Sequence, residues 1–147
     1  MTDETTFPSP AWFDQMVADT GARPDLYRRL GFADFRLVLK VLDDGRARSY
    51  GLSFDGYDVS FEGELDDLDA FGADATLEGD LETWQEMIRN ILRNGRADSA
   101  HTLNALTIAE TPLKVSSPDP LGRDKFFRYA ETLQTLFDSL GHQLMVS

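Results

Sequence analysis

A change of hydrophobic periodicity occurs within residues 75–92, which read ATLEGDLETWQEMIRNIL. Up to Gly79 the pattern is typical of a short strand, and after Asp80 the apolar residues recur at helical spacing. These apolar residues are Leu81, Trp84, Met87, Ile88, Ile91 and Leu92. Asp80 is expected to cap the helix, because its carboxylate can accept hydrogen bonds from the first free backbone N–H groups. The segment therefore predicts a strand that runs directly into a buried helix.

A second apolar helix is predicted near the C-terminus. It follows residues 117–120, where Ser-Pro-Asp-Pro ends one element and allows another to begin. Its apolar stripe consists of Phe126, Phe127, Ala130, Leu133, Leu136, Phe137 and Leu140. Gly141 is expected to end this helix. Between the two long helices, Asn94-Gly95 ends the first, and residues 97–104 are expected to form a further short helix.

Upstream of residue 75 the apolar residues alternate with a period of two, which predicts strands. The alternating segments are residues 35–41, 48–54 and 57–61. Asp43-Asp44-Gly45 and Asp55-Gly56 are turn signals between them, so the three segments predict an antiparallel meander. A fourth strand is expected near residues 73–78. The fifth is residues 106–108 or 113–115, of which we favour the second.

The first 33 residues are predicted to form a helical brace against the sheet. Ser9 caps a helix that begins with Pro10 and stops at Gly21, and a shorter helix follows between Pro24 and Gly31. No repeat or long linker divides the chain. We therefore expect one domain over residues 1–147, with the brace in residues 1–33 and the sheet and main helices in residues 35–140.

The composition is that of a soluble globular protein. Of the 147 residues, 41% are hydrophobic and 27% are charged, and the formal net charge is −12. A surface this negative repels phosphate backbones and anionic lipid headgroups, which disfavours nucleic-acid binding and stable membrane insertion. The absence of cysteine excludes disulfides, thiolate metal sites and a cysteine nucleophile.

The sequence shows no targeting signal. Residues 1–6 are polar and acidic, without the basic and apolar regions of a secretory signal. No apolar run approaches the ~20 residues of a membrane-spanning helix. The final residues, 144–147, are not a peroxisomal address of the Ser-Lys-Leu type. A cytoplasmic location is therefore expected.

One short pattern resembles the spacing of a calcium loop. Asp67, Asp69, Gly72 and Glu78 occupy the first, third, sixth and twelfth positions of an EF-hand loop. Phe71 stands where an oxygen ligand is required, and strands rather than helices are predicted on both sides. We therefore predict no metal site, and no cofactor motif is present.

Side chains suited to catalysis are scarce. His101 and His142 lie in no nucleophile-elbow pattern, and the chain lacks a Gly-rich phosphate loop. A buried carboxylate acting as a general base is harder to exclude, and Asp34, Asp58 and Glu62 lie on or beside strands. Strand alternation places Asp58 and Glu62 toward solvent. We assign no catalytic residue, and the balance favours a protein that is not an enzyme.

The order of these elements resembles the lipid-binding domain of the sterol carrier protein family. The matching residues are 75–88, with the Gly79-Asp80 junction, and residues 112–115 before the C-terminal helix. The resemblance extends over about residues 35–140. It implies an α+β fold with a mixed, mostly antiparallel sheet of about five strands and helices packed on one face. It also implies an apolar tunnel between sheet and helices for fatty acyl, sterol-like or other lipid molecules.

The expected function is non-catalytic binding or carriage of a small hydrophobic ligand. The ligand would contact the apolar side chains of the two long helices and of the segment between them. The candidate ligand-binding residues are Trp84, Met87, Ile88, Ile91, Leu103, Leu106, Phe126, Phe127, Ala130, Leu133 and Phe137. One alternative is a small cone-shaped isomerase or hydratase that uses a buried carboxylate. Another is an accessory subunit that docks a protein partner, or a second copy of itself, through an apolar helix face.

Overall fold

The computed structural model describes residues 7–109 and 112–146, and for residues 142–146 it describes the backbone only. Residues 1–6, on which the argument about a secretory signal depends, lie outside the described residues. So do Ser147 and the side chain of His142.

Five strands form one sheet in the order β3-β2-β1-β4-β5. The strands are β1 (Ala33–Asp43), β2 (Arg46–Gly56), β3 (Asp58–Glu64), β4 (Ala75–Asp80) and β5 (Lys114–Ser116). All neighbours are antiparallel except β1 and β4, which pair in parallel. The mixed, mostly antiparallel sheet is therefore confirmed, together with the predicted meander. The fifth strand lies one residue beyond the favoured position, and residues 106–107 are helical instead.

Seven helices surround the sheet in the described part of the chain. They are α1 (Pro10–Val17), α2 (Asp19–Ala22), α3 (Pro24–Leu30), α4 (Leu68–Phe71), α5 (Leu81–Asn94), α6 (Leu103–Thr107) and α7 (Pro120–Val146). α5 and α7 pack against each other and against β1 and β4, while α1 packs on β3 and α7. The main helices thus lie on one face of the sheet, as predicted.

The two hairpin turns follow from residues that tolerate positive φ. Asp44 and Gly45 both have positive φ, at 52° and 80°, between the paired residues Asp43 and Arg46. This conformation matches the twist of the flanking strands. In the second hairpin Asp55 pairs with Asp58, so the central turn residues are 56–57, one position later than predicted.

The other face of the sheet is covered by α4, which the sequence did not predict. Phe71 at the end of α4 packs so closely over Gly51 that a Cβ on this glycine would lie 3.0 Å from the Phe71 ring. The guanidinium of Arg36 lies 5.6 Å from the centroid of the same ring. Residues 62–69, predicted as a connection, therefore comprise the end of β3, a short loop and the start of a small apolar cover.

The prediction that the Asp80 carboxylate caps α5 is wrong. The helix begins after Asp80 as predicted, but the Asp80 side chain makes no capping hydrogen bond. Its carboxylate is exposed and lines a surface cleft instead. The junction is held by Trp84, whose indole Nε1–H donates to the carbonyl of Gly79 over 3.1 Å. A buried side chain, rather than a surface cap, therefore fixes the turn from strand to helix.

Three predicted helix boundaries are also wrong. The helix capped by Ser9 ends at Val17, and Gly21 lies inside the next helical turn, α2. The predicted helix over residues 97–104 is a turn followed by α6, because Thr102 accepts from the N–H of Ala105 and caps a later start. Gly141 does not stop α7, which continues to Val146.

Gly141 is required for close packing rather than for termination. A Cβ at this position would lie 2.6 Å from the backbone of Gly95, which ends α5. The missing side chain therefore lets the two helices approach at this point. Gly21 in α2 makes a natural comparison, because a Cβ there would have no heavy atom within 4 Å.

We expect Gly141→Ala to lower the free energy of unfolding by about 1–3 kcal/mol, because the new methyl overlaps backbone that cannot rotate away. Gly21→Ala has open space and loses only chain flexibility in the unfolded state, so it should raise stability by about 0.4–1 kcal/mol. Urea denaturation of both variants measures the two effects. Equal effects would contradict the close approach.

Candidate functional site

Most of the predicted ligand-binding side chains are buried in the hydrophobic core. This group consists of Trp84, Met87, Ile88, Ile91, Leu103, Leu106, Phe126, Leu133 and Phe137. Ala130 is partly buried, and Phe127 is 40% exposed. The structure therefore brings the predicted residues together on the helical side of the sheet, with Phe127 and Ala130 at the surface of the group.

Aromatic rings fill the interior beneath α5 and α7. The Trp84 ring centroid lies 6.1 Å from that of Phe137 and 5.9 Å from that of Phe7. Trp12 on α1 lies 5.8 Å from Phe137 on its other side. In this conformation the side chains expected to line a tunnel contact one another, so any ligand space between them requires movement of the elements that hold them.

A cleft of about 450 Å³ opens between α6 and α7, next to this interior. Its lining residues are Thr102, Leu103, Asn104, Phe127, Ala130, Glu131 and Gln134. Leu103, Phe127 and Ala130 belong to the predicted set. The cleft volume is within the range of small-molecule sites, which is about 300–1,000 Å³. The polar members of the lining were missed by sequence reasoning, although Gln134 does interrupt the apolar stripe of α7.

Other clefts in the described part of the chain have more charged linings. One of about 530 Å³ lies at the start of α5 and is lined by Leu42, Asp43, Asp44, Asp80, Leu81, Glu82, Gln85 and Arg89. Another of about 310 Å³ is lined by Glu86, Arg89, Asn90, Arg93 and His101. A third, of about 470 Å³, lies around α2 and α3 and includes Arg23 and Arg29. The cleft between α6 and α7 is lined partly by apolar side chains, among them Leu103, which also belongs to the buried core, so it is the candidate site.

Residues 95–109, which we call the flap, form one wall of this cleft. Asn90 on α5 holds the flap through a reciprocal pair of hydrogen bonds with Asp98. The Asn90 side-chain amide donates to Asp98 Oδ2, and the Asp98 backbone N–H donates to Asn90 Oδ1, each over 2.9 Å. Both bonds join a side chain of α5 to the flap, which contains only the short helix α6.

Two polar side chains of α7 hold the flap from the other side. The N–H of Leu103 donates to Gln134 Oε1 over 2.7 Å, and the N–H of Ala97 donates to Asp138 Oδ1 over 3.0 Å. Gln134 Nε2 also donates to Asp138 Oδ1, so the two acceptors form one network. The flap is therefore fastened by polar groups at three points, in addition to the burial of its Leu103 and Leu106 side chains in the core.

The two carboxylates of this network titrate in opposite directions. Hydrogen bonds from His101 and Asn90 lower the pKa of the exposed Asp98 to about 2. Burial raises the pKa of Asp138, and the hydrogen bonds from Ala97 and Gln134 oppose that shift. The attachment at Asp98 is thus insensitive to mild acid, while Asp138 is the group whose charge is disfavoured by its surroundings.

Residues considered for calcium binding and catalysis have other partners. Asp67 accepts from the N–H of Ala70 and caps α4, and Glu78 lies 3.5 Å from the ammonium of Lys40. His101 is hydrogen-bonded to Asp98 over 2.7 Å. The carboxylates considered as general bases, Asp34, Asp58 and Glu62, are exposed. For Asp58 and Glu62 this confirms the orientation predicted from strand alternation.

The described helices include none that combines the length and the apolar composition needed to cross a membrane.

The chain matches no known family profile and no curated protein. Solved structures are similar to it in fold. A conserved hypothetical protein from Thermus thermophilus, described as a candidate sterol carrier protein, is 17% identical with a TM-score of 0.59. The match covers 94% of this chain and 92% of that one. The chain therefore has the sterol carrier protein-like fold that the sequence resemblance implied.

Two further structures match with lower TM-scores. Sterol Carrier Protein 2 from Yarrowia lipolytica, in its apo form, is 19% identical with a TM-score of 0.48, over 81% of this chain and 93% of that one. A ubiquinone synthesis protein, UbiJ-SCP2, is 21% identical with a TM-score of 0.42, over 83% and 84% of the two chains.

We expect Asn90→Ala to loosen the flap selectively, because it removes both hydrogen bonds to Asp98. Amide hydrogen exchange in residues 96–107 should become about tenfold faster, while the sheet is unchanged. Asn94→Ala, the same substitution at an exposed position of α5, is the matched control. Uniform acceleration across the chain would show that Asn90 supports the whole fold and not the flap.

The substitution Asp138→Asn tests how the raised pKa of this partly buried carboxylate affects stability. Because the pKa of Asp138 is raised in the folded state, the native protein binds more protons than the unfolded chain between the ordinary value, about 3.9, and the raised value. Its contribution to stability therefore falls as pH rises through that interval. Asparagine keeps the Oδ1 acceptor and does not titrate. The wild type should thus lose stability relative to Asp138→Asn with rising pH in urea denaturation, and a pH-independent difference would refute this.

Proposed function

We propose that this chain is a non-catalytic binding or carrier protein for a small hydrophobic ligand, which enters through the cleft between α6 and α7. The observation that carries the proposal is the cleft itself: a space of about 450 Å³ whose lining includes the apolar residues Leu103, Phe127 and Ala130, of which Leu103 also belongs to the buried core. The sterol carrier protein-like fold supports it, because the Thermus thermophilus structure of this fold is described as a candidate sterol carrier protein.

The geometry of α7 connects the cleft to the interior. Ala130 lines the cleft, while Leu133 and Phe137 are buried in the core one and two turns further along. At 1.5 Å per residue, Phe137 lies about 10 Å along the helix axis from Ala130. A ligand that enters at Ala130 and follows α7 therefore reaches the aromatic cluster at Phe137 once the flap moves outward.

The free energy gained by burying an apolar ligand opposes the free energy of the hydrogen bonds that close the flap. Each hydrogen bond that holds the flap contributes about 0.5–1.5 kcal/mol net. Each buried methylene contributes about 0.8 kcal/mol. An alkyl or ring system of about eight carbons therefore outweighs the hydrogen bonds of the flap, provided that Leu103 and Leu106 keep apolar contact with the ligand, whereas water or a small polar molecule does not. A flap held by hydrogen bonds is thus compatible with a site that opens for lipids and stays closed without them.

The enzymatic alternative would depend on Asp138, the carboxylate whose pKa burial raises beside the cleft. A general base needs a free oxygen directed at substrate. Asp138 is not among the residues that line the cleft, and the hydrogen bonds that its Oδ1 accepts from Ala97 and Gln134 belong to the network that fastens the flap. The contacts of this carboxylate therefore favour a structural role, and binding without catalysis is the better account.

The proposal is tested by blocking the mouth of the cleft. We expect Ala130→Trp to fill the cleft and to weaken binding of 1-aminoanthracene, a neutral apolar fluorophore, at least tenfold at unchanged thermal stability. Arg128→Trp adds the same bulk to an exposed position of α7 and should bind normally. Fluorescence titration measures both affinities, and native mass spectrometry of freshly purified protein should reveal a retained apolar molecule. A wild type that neither binds the fluorophore nor retains such a molecule would overturn the proposal.

A further inference from the structure

Two buried donors in the described part of the chain have no hydrogen-bond acceptor: Nε1 of Trp12 and Oη of Tyr50. The side chains are 2% and 0% exposed, so water does not reach them. Leaving a buried donor unsatisfied is unfavourable, and native proteins contain few such groups. Each of these two therefore requires an explanation.

Both donors adjoin the interior that the proposed ligand would enter. The ring of Trp12 and the ring of Tyr50 each lie 5.0 Å from the ring of Phe13, on opposite elements of the core, α1 and β2. Trp12 also contacts Phe137, which is the deep end of the path along α7. Trp12 thus adjoins Phe137, which lies about 10 Å from Ala130 along the helix axis, and the ring of Phe13 contacts both Trp12 and Tyr50.

Among the described residues neither group has an acceptor. Burial raises the pKa of Tyr50, so its hydroxyl keeps the proton and remains a donor. Arg48 contacts the Tyr50 hydroxyl, but arginine has only donors to offer, so the hydroxyl proton finds no acceptor there. Glu64, which lies opposite Tyr50 on β3, forms an ion pair with Arg48 over 3.5 Å. Around Trp12 the neighbours in ring contact are phenylalanines, which have no acceptor oxygen.

We propose that Trp12 Nε1–H and Tyr50 Oη–H are the polar contacts of the ligand site, and that the ligand is a neutral apolar molecule carrying a carbonyl or ether oxygen. This inference rests on the proposed function and narrows its ligand class. A carboxylate is disfavoured because the surroundings are aromatic rings and the one adjacent cation, Arg48, already has an anionic partner. A pure hydrocarbon would leave both donors unsatisfied.

Three probes of nearly equal size separate these possibilities: 2-acetylnaphthalene, 2-ethylnaphthalene and 2-naphthoate. Equilibrium dialysis with chromatographic quantification gives their dissociation constants for the full chain. We expect the ketone to bind about tenfold more tightly than the hydrocarbon, and the carboxylate to bind most weakly. Equal binding of ketone and hydrocarbon, or tightest binding of the carboxylate, would overturn the inference while leaving the proposed function intact. Binding of none of the probes would overturn both.

Variants test whether these two donors cause the preference. In Tyr50→Phe with Trp12→Phe the advantage of the ketone over the hydrocarbon should disappear, while the hydrocarbon binds as before. Tyr50→Phe alone should reduce the advantage and should not lower the melting temperature, because the proton it removes has no acceptor and Arg48 keeps its pairing with Glu64. Tyr27→Phe is the matched control: its hydroxyl donates to Asp19 over 2.5 Å, so this variant should melt earlier with the ketone preference unchanged. A full ketone preference in the double variant would refute the assignment.

Discussion

The parallel pairing of β4 with β1 is the constraint on which the rest of the structure depends. β4 pairs with β1, the central strand of the sheet, and leads without a loop into α5. This pairing therefore sets the position of the helix across the sheet. The hydrogen bond from Trp84 to Gly79 fixes the direction of the turn. α7 then packs along α5, with Gly141 against Gly95, and β5 completes the sheet outside β4. The aromatic core forms in the space that these contacts enclose.

The elements that sequence predicted well are those whose pattern is local. Period-two alternation located β1, β2 and β3, and helical spacing located α5, because each pattern records which face of one element is buried. Gly141 and Asp80 show the limit of this reasoning. A glycine at the end of an apolar stripe is typical of a helix end. Gly141 instead lies inside α7, where its missing side chain leaves room for the backbone of Gly95. An aspartate before a helix reads as a cap, yet the Asp80 side chain makes no capping hydrogen bond, and the indole of Trp84 holds the junction by donating to the carbonyl of Gly79.

The candidate site was predictable in its apolar part and not in its polar part. Leu103, Phe127 and Ala130 were identified because they continue the apolar stripes, but the same residue types build a filled core, and only packing distinguishes the two. The groups that hold the flap are polar residues of α5 and α7 whose partners lie far along the chain, and no local pattern encodes such pairs. The flap thus combines directional hydrogen bonds with two buried leucines, Leu103 and Leu106, that pack in the same core as the rest of the protein.

The placement of the two indoles gives the protein an intrinsic optical reporter. Trp12 and Trp84 are the only tryptophans of the sequence, both are buried, and both contact Phe7 and Phe137. All tryptophan fluorescence of the chain therefore originates in the single aromatic cluster that a bound ligand would disturb. Its wavelength and lifetime follow the polarity of that one region, so occupancy of the interior is readable from unlabelled protein in real time.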